Sequence, residues 1–231
     1  MRGDMSSAKF ADRHPLDWYV DPDWCAHQLI NAVPEFARGP ESGLAIWDPC
    51  AGMGNTLAYF GEYRFQCFAS DVVDNFNWAT FDAAHVPKPK WFAADFLEQT
   101  SAPAPCHIVC NPPYSYRKGI AEAFVRHALT LAEGLVCAVL PNKWLAPGVD
   151  AKSWSKRSRL FRKDHPPKLV LHFSTRPSMP PGDRIDLMGS RAFRGGVIDY
   201  CWIIWDTREP TAPGETRTIW LPPLAEDFGW A

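Results

Sequence analysis

The sequence predicts a single α/β domain built on a doubly wound, mostly parallel, seven-stranded sheet. Three observations carry that prediction. Short apolar runs of strand length alternate with segments of helical period along most of the chain. One run, Leu135–Leu140, is apolar at every position, as expected of a strand covered on both faces. Four runs end in a carboxylate or carboxamide, at Asp48, Asp71, Asp95 and Asn111, and an open parallel sheet brings such ends to one edge. Asp and Asn also begin ordinary turns, which explains any one of the four less well than it explains all of them.

Residues 1–16 are polar, carry both charges and lack periodicity, so they read as a mobile arm ahead of a domain over 17–231. Asp21 is expected to cap a first helix, with Pro22 at its first position. That helix runs from Trp24 to about Val33, where Pro34 stops it. The loop Arg38–Gly43 leads into strand one, Leu44–Trp47. A helix at Asn55–Tyr63 follows, then strands at Phe65–Ser70, Lys90–Ala94 and His107–Cys110. Ile120–Ala132 is the clearest helix, since Ile120, Ala121, Phe124, Val125, Ala128, Leu129 and Ala132 share one face. Gly134 ends it. Leu135–Leu140, Lys168–Phe173 and Tyr200–Trp205 complete the seven strands.

Composition narrows the function. A formal net charge of −2 means that any polyanion contact must come from a local patch. The 7 Cys residues include no CxxC pair, which suits buried thiols in a reducing compartment. Cys106, His107 and Cys110 approach ligand spacing, yet strand thiols usually pack in the core, and no metal is expected. No signal-peptide core or bilayer-length apolar run is present, so a cytoplasmic protein without a membrane partner is expected.

The loop after strand one reads Asp48-Pro49-Cys50-Ala51-Gly52-Met53-Gly54-Asn55 and opens a helix. Gly52 and Gly54 allow a close approach of ligand to backbone. No Lys follows, so this is not a phosphate loop, nor is it G-x-G-x-x-G. DPCAGMGN instead resembles the first motif of S-adenosylmethionine-dependent methyltransferases, whose fold is a Rossmann-like sheet. The resemblance implies that Asp48, Pro49, Cys50, Ala51, Gly52 and Gly54 hold the methionine part of the cofactor. It implies that Asp71 takes the ribose hydroxyls, and that Asp95 and Phe96 lie beside the adenine. Family members carry an aromatic, Pro-containing segment ahead of this loop, and Trp18–Pro22 sits where it is expected. Tyr19 and Pro22 are carried over on that basis, although Tyr19 could equally pack aromatic surface against the sheet edge.

Asn111-Pro112-Pro113-Tyr114 follows strand four, and its two prolines fix the backbone there. An exocyclic amine on an aromatic ring is a poor nucleophile because its lone pair is delocalised. Two acceptors, the Asn111 side chain and the Pro112 carbonyl, would favour the pyramidal nitrogen of the transition state. Tyr114 offers a face for stacking, worth about 1–3 kcal/mol per base. NPPY after such a loop resembles the fourth motif of amino methyltransferases, which act on adenine N6, guanine N2 or glutamine amides. The motif order resembles the gamma arrangement of DNA adenine methyltransferases, and Tyr200–Asp206 is similar to a late strand of small phage and prophage members. The resemblance implies methylation of adenine in DNA, with the base flipped from the duplex. RNA adenine, a protein glutamine, or a non-catalytic binding subunit are the alternatives.

The insertion 148–168 carries Lys152, Lys156, Arg157, Arg159, Arg162 and Lys163 with interleaved aromatics. It is a candidate nucleic-acid contact, a solvated helix being the other reading. The loop 174–197, with four Arg, is either a lid over substrate or ordinary surface. About two dozen residues follow Trp205, too few for the separate recognition domain of gamma-class restriction enzymes. Specificity is therefore expected from short loops, an accessory recognition protein or a homodimer.

Overall fold

The computed structural model describes residues 14–81, 86–114, 116–146 and 156–224. Eight strands form one sheet: β1 (Ala45–Asp48), β2 (Cys67–Asp71), β3 (Lys90–Ala93), β4 (Cys106–Cys110), β5 (Leu135–Pro141), β6 (Leu169–His172), β7 (Tyr200–Asp206) and β8 (Arg217–Trp220). Their order is β3-β2-β1-β4-β5-β7-β6-β8, and β7 alone runs against its neighbours. The seven expected strands are present. The eighth pairs parallel to β6 at the edge, where three of its four residues are exposed, too weak an apolar signal to read from sequence.

Helix α1 (Trp24–Ala32), the short α2 (Pro34–Ala37) and α3 (Asn55–Glu62) cover one face, and α4 (Ile120–Leu131) the other. Strand alternation feeds both layers. Ile46, Trp202 and Ile204 point to the α1–α3 side, whereas Trp47, Ile203 and Trp205 point to the α4 side. The predicted face of α4 is the buried one: Ile120, Ala121, Phe124, Val125 and Ala128. The same alternation sends Cys106 and Cys110 toward α4 and His107 the opposite way, against Phe36. His107 Nδ1 accepts from the Leu135 amide at 2.9 Å. Burial, aided by the Arg208 charge, pulls its pKa down to about 4, so the imidazole is a neutral core group. Among the described residues no helix is long and apolar enough to cross a membrane.

The helix cap differs from expectation. Asp23, not Asp21, accepts from the Trp24 amide at 2.8 Å, and Pro22 lies outside the helix. Asp21 is drawn instead into the site by tertiary partners, described below.

At the opposite end of the sheet, Lys168 Nζ lies 2.8 Å from both Glu35 and Asp206. This lysine, the last residue of the basic insertion, is thus engaged in an internal ion-pair cluster. Burial pushes the Asp206 carboxyl up, but the hydrogen bonds from Lys168 and the Arg208 amide outweigh it and hold it below its ordinary 3.8. A carboxyl depressed in this way contributes stability above 3.8 that is lost as pH falls through the folded value. Lys168→Met should therefore lower stability by about 2–3 kcal/mol near neutral pH, less than a fully buried pair because the lysine is partly solvated. Urea melts should show that deficit shrinking below about pH 4, as the carboxylates protonate.

Candidate functional site

The strand order reverses between β1 and β4, whose following connections lead outward in opposite directions, so a crevice opens at their carboxyl ends. Asp48 ends β1 there, buried, and its Oδ1 accepts from the Cys50 amide at 3.1 Å. The loop beyond is tied to β2. The Ala51 amide donates to the Ser70 carbonyl at 3.0 Å, and the Gly52 amide to Asp71 Oδ2 at 2.9 Å. Asp71 Oδ1 accepts from the Val72 amide at 2.7 Å. Asp95 Oδ1 accepts from the Leu97 amide at 2.9 Å, while the Phe96 ring packs inward against Trp47 and Phe124.

The two loop glycines have different reasons. Gly52 has φ +49°, and a Cβ there would lie 3.0 Å from Trp18 Nε1. Gly54 has φ +86°, and its Cβ would lie 2.6 Å from Phe76. Gly52 lines the crevice; Gly54 is outside the lining and serves the packing of the loop.

A strap of the N-terminal chain, Asp17–Asp21, crosses this edge. Tyr19 bridges to Pro181, the Val20 amide donates to the Pro180 carbonyl at 3.0 Å, and the Gly182 amide to the Trp18 carbonyl at 3.0 Å. Part of the loop 174–197 is therefore paired to the strap. Trp18 is wedged between glycines, for a Cβ on Gly182 would meet its ring at 2.1 Å. Trp18 Nε1 is buried with no hydrogen-bond partner among the described residues.

Asp21, at the end of the strap, was legible in sequence only as a cap. Its Oδ2 accepts from Thr56 Oγ1 at 2.9 Å, and Asn111 Nδ2 lies 3.5 Å from Oδ1. Asn111 Nδ2 also donates to the Tyr19 carbonyl at 3.2 Å. The Tyr114 hydroxyl reaches Asn111 Oδ1 and, at 3.1 Å, the Val139 carbonyl. The Asn111 carboxamide is thus oriented from both ends.

Two cavities flank this residue. The first, 340 Å³, is lined by Asp17, Asp21, Asp48, Asp71 and Asp95, with Trp18, Gly52 and Asn111, and no Lys or Arg among the described residues contributes. Burial, then the Asp21 and Asp71 charges, drives the Asp48 carboxyl well above its ordinary range. Burial likewise raises Asp21 and Asp71. The second, 530 Å³, is lined by Tyr114, Trp144, Tyr200, Met179, Arg157 and Lys143, among others. Asp17 and Tyr19 line both. Pro22 and Pro112 are buried and line neither cavity, whereas Pro49, Cys50, Ala51, Phe96 and Pro113 line the first.

The basic segment divides. Lys152 lies outside the described residues, as does the side chain of Lys156. Arg159, Arg162 and Lys163 are exposed, and Arg159 pairs with Asp164 at 3.4 Å. Arg157 turns inward, its guanidinium 5.4 Å from the centre of the Trp144 ring. Trp144 was missed in sequence, although it follows the end of β5 as the other groups follow their strands.

No family model matches the chain, and no curated protein matches it in sequence. Solved structures do share its fold. One is a candidate class I S-adenosylmethionine-dependent methyltransferase from Listeria monocytogenes, 14% identical, with a TM-score of 0.60 over 93% of this chain and 68% of that one. The fold is that of S-adenosylmethionine-dependent methyltransferases. A candidate RNA methyltransferase from Pyrococcus horikoshii is 16% identical, with a TM-score of 0.56 over 85% of this chain and 90% of that one. The M protein of the type I restriction enzyme EcoKI is 15% identical, with a TM-score of 0.51; the match covers 87% of this chain and 47% of that protein.

The strap's seating on Gly182 is testable. Gly182→Ala should displace Trp18 and break the pairing, raising hydrogen exchange at the Val20 amide by at least about tenfold while β5 amides stay protected.

Proposed function

We propose that the chain transfers a methyl group from S-adenosylmethionine to the N6 amine of adenine in DNA, as a protein of the small phage or prophage kind. The observation that carries this reading is the Asn111–Tyr114 wall. Asn111 lines the acidic cavity, Tyr114 lines the aromatic one, and the two side chains are hydrogen bonded to each other. A cofactor on one side and a planar amine on the other would meet at Asn111.

The acidic cavity fits the proposed cofactor. Five aspartates, with no balancing Lys or Arg among the described lining residues, would disfavour a pyrophosphate and favour a ligand bearing sulfonium, ammonium and hydroxyl groups. Its volume is within the range of small-molecule sites. Trp18 Nε1, buried and unpartnered beside Gly52, offers a donor to the ligand's carboxylate. Asp48 and the loop Pro49–Met53 would face the methionine part, Asp71 the ribose hydroxyls, and Asp95 the adenine amine through its remaining lone pairs. When bound, the cofactor supplies the electrophilic methyl group.

The protein's part is alignment and charge stabilisation. Asn111 Oδ1 would accept one N–H of the target amine, and the Pro112 carbonyl, although Pro112 lines neither cavity, is the second acceptor the motif offers; together they would draw the lone pair out of conjugation. Tyr114, by holding Asn111 Oδ1 on one side, and the Tyr19 carbonyl, by holding Nδ2 on the other, keep the amide from flipping. A proton leaves the amine after the methyl arrives, so no strong base is needed. Tyr114, Trp144 and Tyr200 give the target base aromatic faces that a flexible glutamine side chain would not require. Motif order favours DNA as the carrier, and the exposed Arg159, Arg162 and Lys163 suit a nucleic-acid backbone. Sequence selectivity would come from the insertion 148–168, the loop 174–197, or an accessory protein or second copy.

Expression in a methylation-free host should yield N6-methyladenine in DNA, and sequencing of that DNA reveals the methylated site. Asn111→Ala should lower transfer by at least about 100-fold. Methylation of RNA alone would move the acceptor to RNA; cofactor binding without transfer to any acceptor would leave a binding subunit.

Cofactor binding should also depend on pH. The raised carboxyls of Asp21, Asp48 and Asp71 make the ligand-free fold most stable when they are protonated, and that stability is lost as pH rises from 3.8 through their folded values. A cation reverses the preference, so S-adenosylmethionine affinity should climb with pH over that interval, with protons released. Calorimetry in buffers of different ionisation enthalpy reads the release; a pH-independent affinity would count against the acidic cavity as the site.

A further inference from the structure

We propose that Arg157 reads the target base, its guanidinium donating from the wall of the aromatic cavity to a ring-nitrogen acceptor of the nucleobase whose amine is held at Asn111. The inference rests on the nucleobase reading given above and adds to it the group that recognises the ring.

The local chain explains how a residue of a basic surface run comes to lie inside. After β5 ends at Pro141, the turn Asn142–Leu145 carries Trp144 into the wall, where its side chain is nearly fully buried. The turn Lys156–Arg159 brings Arg157 over that ring, at 5.4 Å from its centre. The indole face favours a cation there and holds the planar fork in one orientation. Arg159, two residues on, is left at the surface with Asp164.

Among the described residues the guanidinium's donors are largely uncommitted. Its Nη2 reaches the Ala146 carbonyl at 3.4 Å, a long contact. Its Nε is buried and has no hydrogen-bond partner among the described residues. Glu122 lines the same cavity and its charge favours the Arg157 cation, but its Oε1 is bonded to Arg126 at 2.9 Å and no hydrogen bond joins it to Arg157 among the described residues. A charged donor buried without a partner is costly in a resting protein and becomes favourable when a ligand supplies the acceptor. Arginine has no acceptor of its own, so what it selects is an acceptor edge, such as a purine ring nitrogen. Lys143, exposed at the same cavity, suits the phosphate side of the target nucleotide instead.

The test uses duplex DNA carrying the sequence that the wild type methylates, with the target adenine replaced in turn by 1-deaza-, 3-deaza- or 7-deazaadenine. One of these should lower wild-type kcat/KM by about 10–100-fold, the worth of a hydrogen bond to a charged donor. Arg157→Met should lose a similar factor on adenine and be indifferent to that same analogue. Arg157→Lys, which keeps the charge without the fork, should fall between. Unchanged S-adenosylmethionine binding by Arg157→Met would show an intact fold, because Arg157 does not line the acidic cavity. Equal losses for wild type and Arg157→Met with every analogue would overturn the inference while leaving the methyltransferase reading intact. So would a variant in which only the salt dependence changes, the mark of a phosphate contact. Absence of any adenine methylation by the wild type would instead overturn the nucleobase reading, and this inference with it.

Discussion

Everything at the site depends on where the strand order reverses. β2 and β4 lie on either side of β1, and the chain must leave β1 in one direction and return to its other flank by way of β2 and β3. The paired registers set Asp48 beside Ala69 and Asp71 beside Ala93, so the ends of β1, β2 and β3 step across one edge within a few residues. Carboxylates at those ends converge because the sheet is parallel there. The convergence has an electrostatic cost. Asp21, Asp48 and Asp71 are all raised by burial, and each is held by N–H or O–H donors rather than by a cation. A positively charged ligand would offset that cost.

The strap completes the two cavities. It joins the first described residues to the loop after β6, which makes one wall serve both sides through Asp17 and Tyr19. Asp17 has φ +53°, a left-handed conformation uncommon for a residue with a side chain, and its carboxylate accepts from the Tyr116 amide at 2.6 Å. The segment after NPPY is thereby tied to the strap at the boundary between the cavities. Trp18 needs Gly182 on one side and Gly52 on the other, so two distant segments are fitted to one indole.

Much of this architecture was legible in the chain. Seven strands, the apolar face of α4 and the four polar strand ends follow from alternation, period and composition, which are local signals. β8 escaped because an edge strand with a single inward apolar residue carries almost no pattern. Asp21 was misread for a different reason. Asp-Pro ahead of an apolar segment is a sound capping signal, yet Thr56 and Asn111 bind the same carboxylate from distant parts of the chain, and Asp23 takes over the cap.

The two glycines of DPCAGMGN mark the boundary between what local rules reach and what they do not. The sequence by itself determined that both lie in the loop after β1, where they allow a close approach to the backbone, and that Asp48, Asp71, Asp95 and Asn111 share an edge. Only the tertiary structure decided that Gly52 faces a cavity while Gly54 faces Phe76, or that Arg157 leaves its basic run to lie on Trp144. Backbone conformation and strand-end placement are properties of a few consecutive residues. Which side chain lies against which, across more than ten residues of chain, is set by packing, and packing appears only when the layers close.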